Sequence, residues 1–267
     1  MSYYKGLSLD GLKALVFGGT SGLGRAIALG LAEAGADVAP VGRRIEEVQK
    51  TAAEIRAKGK QSLELAADVT LRKDVERVVD RVKGEFGRID ILVNSAGTTK
   101  RGPSLDMQDS DWDRIMALNV NGTWHACQIA GRVMKDQNYG RIINIASLAS
   151  FVSVHEVLPY CASKGAVLQI TRALAAEWAK HGITVNGIAP GVFETPLNRE
   201  VLRDPSRRMS ILSRTPMRRY GNLEEIVGAA IFLASPSASF VTGHTLVVDG
   251  GFLAQGIGEM PPMTTPT

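Results

Sequence analysis

Four side chains, Asn119, Ser147, Tyr160 and Lys164, combine types and spacings that suit proton transfer at a carbon–oxygen centre. Tyr160 and Lys164 stand Y-x-x-x-K, and the apolar positions Ala166, Leu168, Ala173, Leu174 and Trp178 predict a helix over 157–181. Four residues apart on a helix is about one turn, so a phenol would sit beside an ammonium. A free tyrosine, with a pKa of about 10, is a poor acid or base at pH 7, and making it useful takes roughly 4 kcal/mol in favour of the phenolate. A unit charge about 4 Å away supplies roughly that much at an effective dielectric of ~20. Lys164 is therefore expected to lower the pKa of Tyr160. Ser147 would hold a substrate oxygen, and Asn119 would fix a water or an irregular stretch of helix. Alone, Y-x-x-x-K also describes an ordinary solvated helix face, so the reading depends on its surroundings.

Those surroundings alternate regularly. Short β-rich runs at 14–17, 37–41, 63–66, 89–93, 141–145, 184–188 and 246–248 are separated by helix-length patterns at 23–34, 44–58, 71–86, 111–136, 157–181 and 222–234. Seven strands with six intervening helices predict an α/β fold: a doubly wound parallel sheet of the Rossmann type in one domain spanning 1–267, with its core at about 10–252. Right-handed crossovers put all strand C-termini on one edge, where ligands bind in such sheets.

The composition sets outer limits. With 267 residues, 45% of them hydrophobic, and a formal charge of +4, the chain is globular and not strongly basic. Its basic pairs, Arg43-Arg44, Lys100-Arg101, Arg207-Arg208 and Arg218-Arg219, are scattered, which argues against a nucleic-acid partner. No apolar run reaches the ~20 residues a membrane span needs, and residues 1–10 show no basic segment leading into an apolar one. Cys127 and Cys161 are the only cysteines, which fits reduced thiols in a cytoplasmic protein. No His/Cys/carboxylate spacing suggests a metal, and His125, His181 and His244 read as structural.

Gly18, Gly22 and Gly24 follow the first predicted strand and open the first helix, as a loop that lets backbone approach a pyrophosphate would. Thr20, Ser21 and Leu23 lie in the same loop as further cofactor candidates. At the end of the second strand, where an acid would accept a ribose 2′-hydroxyl, the chain has Gly42-Arg43-Arg44. Two guanidiniums and no acid predict NADP(H) over NAD(H); the alternative is a pair of surface arginines starting a helix.

With these motifs in hand, the chain resembles the short-chain dehydrogenase/reductase family from about residue 10 to 252. The resemblance implies that Asp68-Val69 meets the adenine, that Asn94, Ala96 and Gly97 of Asn94-Ser95-Ala96-Gly97 support the sheet and line the cofactor, and that Asn119 kinks a helix and holds a relay water. It implies further that Ser147, thirteen residues before Tyr160, binds the reacting oxygen and that Tyr160 is the general acid and base. Lys164 would lower its pKa and hold the nicotinamide ribose, with oxidised nicotinamide adding further positive charge. Pro190, Gly191, Val192 and Thr195 match the stretch that orients the carboxamide. Two departures stand out: Phe17 where many members carry threonine, and Ser95 in place of a second asparagine.

Thr99-Lys100-Arg101-Gly102-Pro103 resembles the R-x-P stretch of the gluconate 5-dehydrogenase type, in which the arginine helps hold an acidic substrate. That implies a small carbonyl or alcohol substrate such as gluconate or 5-keto-gluconate, with Arg101 and His155 as substrate contacts. The alternatives are a loop arginine in solvent and an exposed His155-Glu156 pair. Residues 193–216 are expected to form a flap, and 253–267 a tail that is disordered or packed on a neighbouring subunit. Residues 111–136 and 157–181 carry more apolar residues than one buried face requires, and the resemblance implies that these two helices assemble a homotetramer. A 3-oxoacyl carrier-protein reductase is the competing enzyme, and a non-catalytic NADP-binding sensor the competing class.

Overall fold

The computed structural model describes residues 5–196 and 198–256. Among these, β1 (Lys13–Phe17), β2 (Asp37–Gly42), β3 (Leu65–Ala66), β4 (Ile91–Asn94), β5 (Gly140–Ile145), β6 (Ile183–Pro190) and β7 (Thr245–Val248) form one sheet. Every pairing is parallel and the order is β3-β2-β1-β4-β5-β6-β7. The doubly wound sheet expected from the alternation is therefore present, with its order reversing between β1 and β4, where such sheets open a crevice. The edge strand β3 keeps only two of its four expected residues, since β2 alone pairs with it.

Successive strand residues point to opposite faces, and the apolar runs serve two cores. Leu15, Phe17, Ala39, Val41, Leu92 and Ile142 pack on one side against α3 (Arg72–Phe86), α5 (Gly122–Gln137) and α6 (Leu158–Trp178). Ala14, Val16, Val38, Ile91, Val93 and Ile143 pack on the other against α1 (Gly22–Glu33), α2 (Ile45–Ala57) and α9 (Val227–Ala234). The buried stripe Val75, Val78, Val79, Val82 and Phe86 shows why α3 is a helix and which face it turns inward. Each such aliphatic side chain, once buried, contributes about 1.5–3 kcal/mol before chain entropy is counted.

The helix expected over 111–136 is two helices, α4 (Asp109–Met116) and α5, joined by a π-helical turn at Ala117–Asn121. Such a turn shifts the register of backbone bonds and turns a side chain out of the helical pattern; Asn119 lies in it. The pattern at 222–234 begins instead as a 3₁₀ turn capped reciprocally by Asn222 and Glu225, then becomes α9. Within the expected flap lie two short helices, α7 (Arg199–Leu202) and α8 (Pro205–Ser213). The tail from 257 onward lies outside the described residues.

Candidate active site

The loop from β1 to α1 is built by backbone packing on backbone. A Cβ at Gly18, whose φ is +76°, would lie 2.5 Å from the Ala96 nitrogen, and one at Gly24 would lie 2.2 Å from the Gly18 oxygen. Ser21, at the N-cap of α1, makes no side-chain cap, so the first amides of the helix remain to face the cleft. This is a cradle for an anion, where the helix end and its dipole favour a pyrophosphate.

A cleft of about 750 Å³ runs along the carboxyl edge of the sheet. Its wall takes in Gly18, Thr20, Ser21, Gly22, Leu23 and Gly24 from the loop, then Arg43, Arg44, Asp68 and Val69 at one end. Ala96, Gly97, Pro190, Gly191 and Thr195 line its middle, and Ser147, Tyr160 and Lys164 close the other end. Arg43 is 72% exposed and its nearer guanidinium nitrogen is 4.0 Å from Asp68 Oδ2, so it can turn toward a ligand phosphate at little cost. The elongated cleft, with a glycine cradle at its waist and two guanidiniums at one end, suits a phosphorylated dinucleotide.

The reacting end is assembled from β5 and α6. Ser147 lies two residues beyond β5 and caps a 3₁₀ turn at Leu148–Ser150, accepting a hydrogen bond from the Ala149 amide at 3.1 Å, which fixes its side chain. Pro159 in the first turn of α6 helps start the helix that carries Tyr160 and Lys164. Lys164 is 6% exposed, donates from Nζ to the Ile145 carbonyl at 2.6 Å, and lies 5.7 Å from the centre of the Tyr160 ring.

Burial works against the acidification of Tyr160 expected from Lys164 and a bound nucleotide. Burial pushes the Tyr160 phenol above its ordinary value; the hydrogen bond with Ser147 pulls it down, and neighbouring Cys161 adds a smaller upward push. Burial also lowers Lys164 to about 8. Burial thus opposes the charged form of each group.

Asn119 is buried, at 1% exposure, and works as a brace. Its Oδ1 accepts from the Thr98 amide at 2.8 Å, and its Nδ2 donates to the Thr98 carbonyl and to Ser163 Oγ, each at 2.9 Å. The Ser163 hydroxyl donates in turn to the Tyr160 carbonyl at 2.8 Å, so the loop after β4 is tied to α6 at the tyrosine. Asn119 does not reach the cleft wall, and its side-chain amide is committed within the protein.

Asn94, Val192, Arg101 and His155 are likewise not on the wall of the cleft. Asn94 points into the sheet interior, donating to Asn144 Oδ1 at 2.9 Å and to Cys127 Sγ at 3.2 Å. The Val192 carbonyl accepts from the Gly221 amide at 3.0 Å. Arg101 donates to Glu156 at 2.7 Å, while the Glu156 carbonyl accepts from the Gly102 amide at 2.9 Å. Glu156 has φ +63°, a left-handed conformation that costs a branchless acid about 1 kcal/mol or more. His155 is 79% exposed and 3.8 Å from the same carboxylate. These contacts join the loop after β4 to the loop before α6.

Sequence reasoning missed Ser95, Ile145 and Asn198. Ser95 and Ile145 were legible only as neighbours of motif residues. The spacing Thr195-x-x-Asn198 was a signal for a side-chain clamp. Among the described residues, no cluster of three or more His, Cys, Asp or Glu is arranged to hold a metal ion, and no helix is long and apolar enough to cross a membrane.

Comparison with known proteins places this geometry in context. A family model described as Enoyl-(Acyl carrier protein) reductase matches residues 18–253. The 2-dehydro-3-deoxy-D-gluconate 5-dehydrogenase of Escherichia coli is 43% identical over 249 residues, covering 93% of this chain and 98% of that protein. Gluconate 5-dehydrogenase of Gluconobacter oxydans is 39% identical over 251 residues, covering 94% and 98%. The crystal structure of a gluconate 5-dehydrogenase from Burkholderia cenocepacia, in complex with NADP and tartrate, superposes with a TM-score of 0.92 at 39% identity, covering 94% of this chain and 99% of that one.

The displaced lysine has a measurable signature. Between about 8 and the ordinary 10.5, the unfolded chain binds a proton on Lys164 that the folded chain does not, so stability falls as pH drops through this window. Tyr160, shifted above 10.0, subtracts stability only as pH rises beyond that value. Lys164→Met is therefore expected to gain about 2 kcal/mol relative to the wild type on going from pH 10 to pH 8, read from urea midpoints. An equal difference at both pH values would contradict the displacement.

Proposed function

The chain belongs to the short-chain dehydrogenase/reductase family, oxidoreductases acting on CH–OH groups, and from that premise we propose an NADP(H)-dependent enzyme that interconverts a secondary alcohol and a ketone on a sugar acid. The observation that carries this reading is the meeting of Ser147, Tyr160 and Lys164 at one end of a dinucleotide-shaped cleft. Gluconate and 5-keto-gluconate are one candidate pair, named for relatives at 39% and 35% identity, beside the 2-dehydro-3-deoxy-D-gluconate named for the relative at 43%.

In the reducing direction, the Ser147 hydroxyl holds the carbonyl oxygen and Tyr160 transfers its proton to that oxygen as it becomes an alkoxide. A nicotinamide held along the cleft by Pro190, Gly191, Thr195 and Lys164 would supply the hydride. In the oxidising direction Tyr160 takes the proton back. Burial keeps Tyr160 in the protonated form that reduction starts from but weakens it as a donor, and positive charge from Lys164, joined in oxidation by the nicotinamide ring, favours the tyrosinate. Arg43 and Arg44, at the rim, suit a 2′-phosphate, which favours NADP(H).

An acidic substrate can recruit Arg101 only by sharing it with Glu156. That pairing also weakens the case for a carrier-protein reductase, which needs basic charge free at the pocket mouth; Lys100 there lies 4.0 Å from Asp111. Residues 193–216 serve as the lid. Exposed Trp112 and Trp124, on α4 and α5, favour a homotetramer, and two free thiols favour the cytoplasm.

Tyr160→Phe is expected to keep NADPH affinity while lowering turnover of 5-keto-gluconate by about 10² or more, the loss that follows removal of a general acid. Turnover within a factor of about three of the wild type would remove Tyr160 from that role. Arg43→Ala should raise the dissociation constant of NADPH at least about tenfold more than that of NADH, since the charged contact exists only with the phosphate. Equal losses would reverse the cofactor assignment.

A further inference from the structure

Asn198 holds Thr195 in a way that determines what Thr195 can offer a ligand. The Thr195 amide donates to Asn198 Oδ1 at 2.9 Å, and Asn198 Nδ2 donates to the Phe193 carbonyl at 2.8 Å. An N–H at one end and a carbonyl at the other leave only one orientation for the side-chain amide, with its oxygen toward Thr195. The Thr195 hydroxyl lies 3.1 Å from that same oxygen and donates to it. A threonine hydroxyl has one hydrogen, and here it is spent. Whatever Thr195 Oγ1 presents to the cleft is therefore lone pairs alone.

Both residues line the cleft beside Pro190 and Gly191, and the Thr195 methyl lies 3.4 Å from where a Cβ of Gly22 would stand, across the cofactor cradle. We propose that Asn198 is a positioning residue that makes Thr195 an obligate hydrogen-bond acceptor, so that this wall recognises an N–H donor, the amine of the nicotinamide carboxamide, and rejects groups that can only accept. This rests on the reading of the cleft as the NADP(H) site. The amine and the carbonyl of a carboxamide occupy opposite ends of one group. Fixing the polarity of Thr195 therefore selects one of the two rotamers of that group, which a freely rotating hydroxyl would not.

The measurement is equilibrium binding, followed by protein fluorescence, of NADPH and of its 3-acetylpyridine analogue, in which a methyl replaces the carboxamide amine. The quantity read is the ratio of the two dissociation constants. The wild type is expected to favour NADPH by roughly 3- to 10-fold, the range of one neutral hydrogen bond. Thr195→Val and Asn198→Ala should each bring the ratio close to one, and the double variant should go no lower. Asn198→Asp, which keeps an accepting oxygen, should retain the preference and covers the case in which Asn198→Ala fails to fold. A general loosening of the loop would weaken both nucleotides alike and leave the ratio unmoved. If Thr195→Val abolishes the preference but Asn198→Ala preserves it, the positioning role is overturned and the cofactor reading stands. If Thr195→Val preserves the preference, Thr195 does not meet the carboxamide and the proposal falls with that placement. If neither nucleotide binds the wild type, the cofactor reading itself falls.

Discussion

Lys164 carries its amine into a place that water barely reaches, one helical turn from a phenol that is half-buried on the cleft wall. Everything at the reacting end follows from the cost of keeping both there. The amine is held by the Ile145 carbonyl at 2.6 Å, and its proton affinity drops to about 8; the phenol keeps its proton more tightly than a free tyrosine. Burial works against the charged form of each group. A positive charge brought beside the phenol would favour its ionised form.

The scaffold is organised around holding that pair in register. The π-helical turn at 117–121 turns Asn119 toward the loop after β4, and its amide ties Thr98 to Ser163 and so to the tyrosine backbone. Under the cleft, Asn94 meets Asn144, which donates to Thr171 on α6 at 3.0 Å. Buried amides of this kind are costly unless paired, and pairing them ties β4, β5 and α6 to one relative placement. The Arg101–Glu156 contact does the same between the two loops above, at the expense of a left-handed backbone at Glu156.

Much of this was legible in the sequence. Apolar runs such as Ile91-Leu92-Val93 mark buried parallel strands, and the glycines after β1 mark a loop where backbone must meet backbone. What pattern alone did not reveal depends on contacts between distant residues. Glu156 neutralises Arg101 across 55 positions, and Asn119 engages Ser163 across 44. The upward push of burial on the Tyr160 phenol was not legible, because a spacing records the attraction of a neighbouring charge but not the solvation lost by burial. The π-helical turn was invisible to periodicity because five residues scarcely disturb a helical pattern.

Titration of Tyr160 tests this account most directly. The ultraviolet difference between the wild type and a variant with phenylalanine at that position isolates one tyrosinate among five tyrosines, and can be followed with and without NADP⁺. The account predicts ionisation above the ordinary tyrosine value of about 10 in the protein alone and a clear downward move when NADP⁺ binds. Ionisation well below the ordinary value without nucleotide, or one that NADP⁺ leaves unmoved, would contradict it.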